Sequence, residues 1–245
     1  MENIIDIHCH ILPGVDDGSD SFEMSMQMLK RAADDGISGM ILTPHNKPGH
    51  RHMHFSQMMS EINKLRKIMT EENIKIELYP GSELYYRSGI REEIAHDKTG
   101  ILAGSRYTLV EFNPIADYDY IRNGIYSLLT GGYYPILAHV ERYRNVCAAK
   151  YGTEDLIEMG CYIQVNAGSI MGKSGSKARR FVKKLLKQRQ VHFVATDAHD
   201  LKKRPPGLSD CADYIRKKYG EDYSIKLFCD NPMDVIRDKE ISLYF

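Results

Sequence analysis

The stretch that decides the fold is Asn3-Ile4-Ile5-Asp6-Ile7-His8-Cys9-His10, which is followed by the acidic turn Gly14-Val15-Asp16-Asp17-Gly18-Ser19. Because alternate side chains of a β-strand share a face, we expect Asp6, His8 and His10 to point the same way. Two imidazoles about 7 Å apart on one face can bind a single metal ion, and the acidic turn beyond them can reach a second. Histidines that only hydrogen-bond inside a sheet are the alternative, and the later strands favour the metal site.

Six later stretches of the chain have the pattern of apolar strands, and nearly all of them end in His, Glu or Asp. They cover residues 39–45, 75–86, 106–112, 133–143, 161–166 and 191–199. Helical patterns separate them at intervals of roughly 30 residues, which is typical of βα units and a parallel sheet. A doubly wound sheet gathers functional residues at one switch point, whereas a closed barrel gathers them at the carboxyl end of each strand. We therefore predict an α/β fold, a distorted (β/α)7 TIM-like barrel with its active site at the carboxyl ends of the strands, as a single domain over residues 1–245.

The composition argues against several classes of protein. With 33 basic and 33 acidic residues the formal net charge is zero, so no chain-wide field attracts nucleic acid or an anionic membrane. No apolar run reaches the ~18–20 residues that span a bilayer, and the start of the chain does not resemble a signal peptide. Five cysteines without Cys-x-x-Cys spacing fit reduced thiols. We expect a cytoplasmic protein with no nucleic-acid partner and no membrane insertion.

Nine side chains at the predicted strand ends have the chemistry of metal ligands. They are His8, His10, Asp17, His45, Glu83, Glu111, His139, Asp197 and His199. One ion takes about four to six ligands, so nine suffice for two or three ions with a bridging carboxylate such as Glu83. Imidazole and carboxylate ligands without thiolate suit Mn, Fe or Zn. His50, His52 and His54 lie on a polar loop, where solvated histidines are favoured over further ligands.

Arg142 and Arg204 follow ligand-bearing strand ends at a short distance. A planar guanidinium at such a position can bind phosphate oxygens bidentately, and we favour this role over that of an ordinary surface arginine. Clustered divalent ions suit the same chemistry, because they activate water near neutral pH and neutralise phosphate charge. The chain has no Cys-x5-Arg sequence, which a cysteine-dependent phosphatase requires. A metal-dependent reaction on phosphate is the function that these residues favour.

The helix predicted over about residues 176–189 has a basic outer face. Its cations are Lys177, Arg179, Arg180, Lys183, Lys184 and Lys187. A charge run of this kind is most often a solvated face, and docking of an acidic partner is the alternative.

The motifs together resemble those of the PHP (polymerase and histidinol phosphatase) domain: Asp6-x-His8-x-His10, Thr43-Pro44-His45, Gly81-x-Glu83, His139 and Asp197-x-His199. The chain is more closely similar to the CpsB/CapC-type bacterial tyrosine phosphatases, and the shared motifs run from end to end. They are His10-Ile-Leu-Pro-Gly-Val-Asp-Asp17-Gly, Glu111-Phe, Ala138-His139-Val-Glu-Arg142-Tyr, Met159-Gly-Cys-Tyr-Ile-Gln-Val-Asn166, Thr196-Asp197-Ala-His199 and Arg204-Pro-Pro. A glutamate rather than a histidine at position 111 points to the tyrosine-phosphatase branch.

The resemblance implies a trinuclear, usually manganese-dependent site, with iron or zinc as alternatives. The implied ligands of one ion are His8, His10 and Asp197. Glu83 would bridge to a second ion, whose other ligands are Glu111 and His139. A third ion would use Asp17, His45 and His199.

The implied activity is hydrolysis of phosphotyrosine by a metal-bound hydroxide. The implied partner is a phosphotyrosine-containing protein, typically the tyrosine-rich tail of a bacterial kinase that regulates capsule or exopolysaccharide synthesis. Self-association into a homo-oligomer is left open. One alternative is a PHP phosphoesterase for a small phosphorylated metabolite such as histidinol phosphate. A nuclease is disfavoured by the zero net charge of the chain. A scaffold that binds a kinase tail without cleaving it would predict gaps in the set of metal ligands, and the sequence has none.

Overall fold

Parallel strands alternate with helices along the chain in the computed structural model, which describes residues 3–49, 53–97 and 100–244. The strands are β1 (Ile4–Cys9), β2 (Ile37–Leu42), β3 (His45–Asn46), β4 (Glu77–Pro80), β5 (Glu83–Tyr85), β6 (Tyr107–Glu111), β7 (Tyr134–Leu137), β8 (Tyr162–Asn166) and β9 (Phe193–Ala195). The α-helices are α1 (Phe22–Asp34), α2 (Phe55–Glu71), α3 (Ile90–Asp97), α4 (Tyr118–Thr130), α5 (Arg144–Ala148), α6 (Gly152–Glu158), α7 (Ala167–Met171), α8 (Ser176–Lys187), α9 (Ser209–Tyr219), α10 (Glu221–Ile225) and α11 (Asn231–Ile236). A short 3₁₀ helix covers Val140–Arg142, and a π-helical turn covers Lys226–Asp230. The predicted α/β class is confirmed.

The strands form two parallel sheets whose ends meet. One sheet has the order β1-β2-β4, and the other has the order β3-β5-β6-β7-β8-β9. Beyond β9, Ala198 pairs with Cys9 in a parallel bridge, and its carbonyl oxygen accepts the N–H of His10 at 2.8 Å. This contact joins β1 to the segment that follows β9. Closure of the strands into a (β/α)7 barrel stays a prediction.

Two of the seven predicted strands are each interrupted, so the described part of the chain contains more and shorter strands than expected. Thr43-Pro44 separates β2 from β3, and Gly81-Ser82 separates β4 from β5. Pro44 has no N–H to donate to a ladder, which explains the first interruption. At Gly81 a Cβ atom would lie 2.7 Å from Ile41 Cγ2, so the absence of a side chain permits a close approach of neighbouring strands.

The first strand departs from strict alternation. Its register against β2 shifts between Asp6 and Cys9, as expected for a bulge. Cys9 packs in a different core cluster from Ile5 and Ile7. Cys9 is fully buried. A bulge re-aims the side chains that follow it.

Strands β7 and β9 end two residues before the predicted ligands. The expected strands over residues 133–143 and 191–199 are therefore too long. His139 and Asp197 instead have φ values of 34° and 53°, which few non-glycine residues adopt. A left-handed residue leaves the extended conformation of a ladder, so these two side chains are presented by turns at the strand ends. Such strained positions often occur at functional sites.

In the part of the chain that the structure describes, the core consists of two apolar clusters. The larger joins the helices to one face of the strands, for example Met40 and Leu42 of β2 with Met28 and Leu29 of α1. The smaller joins residues of the strands with Ile241 near the C-terminus. Tyrosines hold this last segment in place: Tyr162 Oη donates to the Ile241 carbonyl oxygen at 2.8 Å. Within the described ranges, no helix combines the length and the apolar character that crossing a membrane requires.

Candidate metal centre

The nine predicted ligands come together at one edge of the sheets, although they are spread over residues 8–199. His8, His10, Glu83, Glu111, His139, Asp197 and His199 are buried, His45 is half-buried and Asp17 is exposed. The centre of the cluster lies between β1 and the turn after β9, where His8 Nε2 and His10 Nε2 are 3.2 Å apart. Several ions can share such a set of side chains.

Four groups of these side chains have ligand atoms that all lie within 4.8 Å of one another. The groups are His8/His10/Asp197, His8/Glu83/His139, His45/Glu83/Glu111 and His10/Asp17/His45/His199. The first contains the ligands implied for one ion, and the last contains those implied for the third ion together with His10. Glu111, however, groups with His45, whereas the resemblance implied that it would share an ion with His139. Glu83 links two groups, as expected of a bridging carboxylate.

Glu83 carries the observation that best fits bound cations. Its Oε2 atom is buried and has no hydrogen-bond partner in the described part of the chain. The same oxygen lies 2.9 Å from His45 Nδ1, 3.3 Å from His8 Nε2 and 3.4 Å from His10 Nε2. Imidazole nitrogens and carboxylate oxygens that converge at such distances form a set of donors that is typical of divalent-metal sites. The donor set therefore fits divalent cations.

The electrostatics of the cluster also favour added positive charge. Burial raises the pKa of Glu83, but the neighbouring His8, His10 and His139 hold it well below its ordinary value. Burial lowers the pKa of His10, but the neighbouring carboxylates of Asp16 and Glu83 raise it to about 9. The carboxylates thus stabilise positive charge on the imidazoles. A divalent ion can satisfy the same negative charge in place of those protons.

Asp16 binds the ring of His10, although the sequence pattern predicts a role only for its neighbour Asp17 in the same acidic turn. Asp16 Oδ2 lies 2.7 Å from His10 Nδ1 and also accepts the backbone N–H of His45 at 2.9 Å. Asp16 Oδ1 accepts the N–H of Gly18 at 3.0 Å. A carboxylate on the second ring nitrogen sets the tautomer and the orientation of a metal-binding histidine. Asp16 therefore directs His10 Nε2 into the cluster.

Gln164 and Asn166 of β8 also hold candidate ligands in place by hydrogen bonds, a role that was not predicted from the sequence. Gln164 Oε1 lies 3.2 Å from His8 Nδ1 and accepts the N–H of His139 at 2.7 Å. Its Nε2 donates to Asn166 Oδ1 at 2.8 Å, and Asn166 Nδ2 donates to Asp197 Oδ2 at 2.8 Å. The alternation of Gln164 and Asn166 at a strand end, as in β1, is the signal that was available in the sequence.

We expect Asp16→Asn to weaken metal binding by about 10- to 100-fold, which is typical for loss of a carboxylate that orients a metal-binding histidine. The amide keeps an acceptor but loses the charge that holds His10. Metal content measured over a series of limiting metal concentrations tests this expectation. Asp20→Asn, at an exposed position shortly after the same turn, is the matched control. Equal metal affinity for the two variants would contradict the orienting role of Asp16.

Arg142 and Arg204 converge on Asp197 from two different loops. Arg142, the last residue of the 3₁₀ helix, donates from Nη2 to Asp197 Oδ2. Arg204 Nη1 lies 3.6 Å from the same oxygen, and its Nη2 lies 3.6 Å from Asp17 Oδ2. Both side chains are 39% exposed, so their guanidinium groups reach solvent at the mouth of the cluster.

The polar loop after β3 contributes no ligand that the structure describes. His50 and His52 lie outside the described residues. His54 is exposed and belongs to none of the four groups, and its backbone N–H donates to Gln57 Oε1 at 3.2 Å at the start of α2. The interpretation of this loop as ligand or solvated surface stays a prediction for His50 and His52.

The fold and the cluster define a class of α/β proteins that carry a histidine- and carboxylate-rich site at the carboxyl ends of parallel strands. A family profile described as "Capsular polysaccharide synthesis, CpsB/CapC" matches residues 4–237, and the chain belongs to this family.

Named relatives extend over nearly the whole chain. Tyrosine-protein phosphatase CpsB of Streptococcus pneumoniae is 33% identical over 243 residues, which cover 97% of this chain and 100% of the relative. Tyrosine-protein phosphatase YwqE of Bacillus subtilis is 31% identical over 219 residues, covering 89% of this chain and 86% of the relative. A chain from the crystal structures of YwqE from B. subtilis and CpsB from S. pneumoniae, described as metal-dependent tyrosine phosphatases, superposes with a TM-score of 0.91. It is 30% identical, and the match covers 98% of this chain and 96% of that one.

Proposed function

We propose that this chain is a metal-dependent protein-tyrosine phosphatase that acts on phosphotyrosine in a bacterial kinase controlling capsule or exopolysaccharide synthesis. The observation that carries the proposal is the convergence of nine imidazole and carboxylate side chains beside two arginines, in a chain similar over almost its full length to named tyrosine-protein phosphatases. The proposed cofactor is a trinuclear manganese site, with iron or zinc as alternatives.

The chain's own residues have distinct roles in this proposal. His8, His10 and Asp197 would hold one ion, with Glu83 shared between this ion and the neighbouring groups. Bound divalent cations would supply a nucleophile at neutral pH and neutralise charge on the phosphoryl group. The guanidinium groups of Arg142 and Arg204 would bind the phosphoryl oxygens that face solvent. A phenolic leaving group has a pKa of about 10 and needs little protonation, so no separate general acid is assigned.

A comparison of substrates tests the proposed function. We expect the manganese-loaded protein to hydrolyse a phosphotyrosine peptide with a kcat/KM at least about 100-fold above that for histidinol phosphate. The reason is that the side chains of Arg142 and Arg204 reach solvent, so a phosphotyrosine carried by a peptide has access to them. A preference for histidinol phosphate would make the small-metabolite phosphoesterase the correct assignment. Binding of the phosphopeptide without turnover would instead support the scaffold.

The same assay separates metal chemistry from thiol chemistry. Burial raises the pKa of Cys147 to about 11 and that of Cys161 to about 12, so neither is a thiolate near neutral pH. We expect a strong chelator to abolish turnover of a small aryl phosphate, and thiol methylation to leave it within about twofold. Inactivation by methylation together with resistance to the chelator would rule out the metal-dependent mechanism.

We also propose that residues 1–245 form one domain, that its strands close into a (β/α)7 barrel, and that the protein acts in the cytoplasm. The match of the family profile over residues 4–237 supports a single domain. The contact between Cys9 and Ala198 supports closure, because it lies between the first and last strands.

A further inference from the structure

A basic groove lies beside the candidate metal centre, between α8 and the segment formed by the 3₁₀ helix and α5. Its volume is about 710 Å³. The charged residues that line it are Glu141, Arg142, Arg144, Lys177, Arg180 and Lys184. We propose that this groove binds acidic side chains that neighbour the phosphotyrosine in a peptide substrate. The inference rests on the proposed function and adds a substrate class to it.

The groove is continuous with the site where the phosphoryl group would bind. Arg142 lines the groove and also donates to Asp197 in the metal centre. A peptide whose phosphotyrosine reaches Arg142 therefore has the groove next to its backbone. Nucleic acid is the less suitable occupant, because the formal net charge of the chain is zero.

The cations of the groove are available to a ligand. Within the described ranges, Arg144, Lys177, Arg180 and Lys184 make no ion pair. All four are exposed. They face a single lining carboxylate, Glu141, whose Oε1 already accepts the backbone N–H of Asn166 at 3.0 Å. Negative charge on a ligand would thus meet an excess of positive charge.

The spacing of the cations fits an extended peptide. Arg180 and Lys184 follow Lys177 on α8 by three and seven residues, so the three side chains lie on one face of the helix. At a rise of about 1.5 Å per residue they span roughly 10 Å. An extended chain covers that distance with about three residues. The groove is therefore suited to a short acidic segment, and the phosphotyrosine lies at its Arg142 end.

The test uses two phosphotyrosine peptides of equal length, with three glutamates or three glutamines beside the phosphotyrosine, and a small aryl phosphate as reference. The groove variant is Lys177→Gln/Arg180→Gln/Lys184→Gln. Its matched control is Arg179→Gln/Lys183→Gln/Lys187→Gln, which removes the same charge from α8 at positions outside the groove lining. All assays use the manganese-loaded protein, and kcat/KM is measured at low and high salt.

We expect the wild-type protein to prefer the glutamate peptide, and the groove variant to lose about tenfold of this preference, mainly through KM. The control variant should keep the preference within about twofold, and high salt should reduce the difference between the variants. Equal losses in the two variants would show only a general charge effect and would overturn the inference. An unchanged preference in the groove variant would also overturn it.

A binding measurement keeps the inference separate from the proposed function. The glutamate peptide is labelled with fluorescein and carries phenylalanine in place of phosphotyrosine, so its affinity does not depend on catalysis. We expect it to bind the groove variant at least about fivefold more weakly than the control variant. If the protein hydrolyses no phosphotyrosine but this difference holds, the proposed function fails and the groove inference stands. Equal affinities, or stronger competition by a short single-stranded oligonucleotide than by the unlabelled peptide, would overturn the inference.

Discussion

Replacement of Glu83 by glutamine is expected to lower kcat/KM for a phosphotyrosine peptide by about 1,000-fold or more and to remove metal from the protein at the same time. Several kcal/mol of charge stabilisation depend on bound cations in reactions of this kind, and about 1.4 kcal/mol corresponds to a factor of ten. Glu83 is central because its Oε2 faces nitrogens of His8, His10 and His45, while its Oε1 lies 2.7 Å from His139 Nε2. Glutamine keeps the size but loses the charge.

Metal content per chain and steady-state rates, measured on the same samples, decide this prediction. Glu92→Gln changes an exposed glutamate of α3 and should keep both quantities. Replacing His8 or His139 by alanine should lower metal content and rate together, since each shares a group with Glu83. Retention of full metal content and full rate by both histidine variants would disprove the cluster.

Lysine in place of Arg142 or Arg204 is expected to lower kcat/KM by about 10- to 1,000-fold, as for removal of one charge-stabilising donor in an active site. The charge is kept, but lysine lacks the planar fork that can hold two phosphoryl oxygens. If the contact tightens as the ester bond breaks, kcat falls and KM rises. Neither arginine is a metal ligand, so metal content should remain at the wild-type level.

The contact of Arg142 with Asp197 makes metal content the informative control in this experiment. Arg216→Lys provides a matched substitution. Arg216 is exposed on α9 and donates to Asp213, which belongs to none of the four groups, at 3.0 Å. Loss of activity in step with loss of metal would assign Arg142 to the positioning of Asp197 alone. Unchanged kinetics in both lysine variants would make the two arginines ordinary surface residues.

The ligand types were visible in the sequence because each depends on a short local pattern. An apolar strand that ends in His, Glu or Asp identifies a side chain at the carboxyl edge of a parallel sheet, wherever that strand is placed. The same pattern within β1, at the end of β6 and just beyond β7 brought His8, Glu111 and His139 to one cluster in the structure. The order of strands and helices likewise follows from local periodicity.

Local patterns could not reveal how the side chains are shared and supported. Asp16 and Asp17 are adjacent and chemically equal, and only the path of the turn directs Asp16 to His10 Nδ1 and Asp17 to the outer group. The groupings of Glu111 and His139 depend on how neighbouring strands are staggered. The positive φ angles of His139 and Asp197 also have no signal in the periodicity of the strands.

The sequence by itself determined the α/β class, the residue types of the candidate metal centre and the family resemblance, since these depend on residue types and short spacings. The tertiary structure alone decided that the register of β1 against β2 shifts between Asp6 and Cys9, that Gln164 supports both His8 and His139, and that two distant arginines meet at Asp197. It also placed the basic face of α8 against the 3₁₀ helix to form a groove. The physical reason is that distances of a few ångströms between residues far apart in the chain result from the packing of whole elements, which no local pattern encodes.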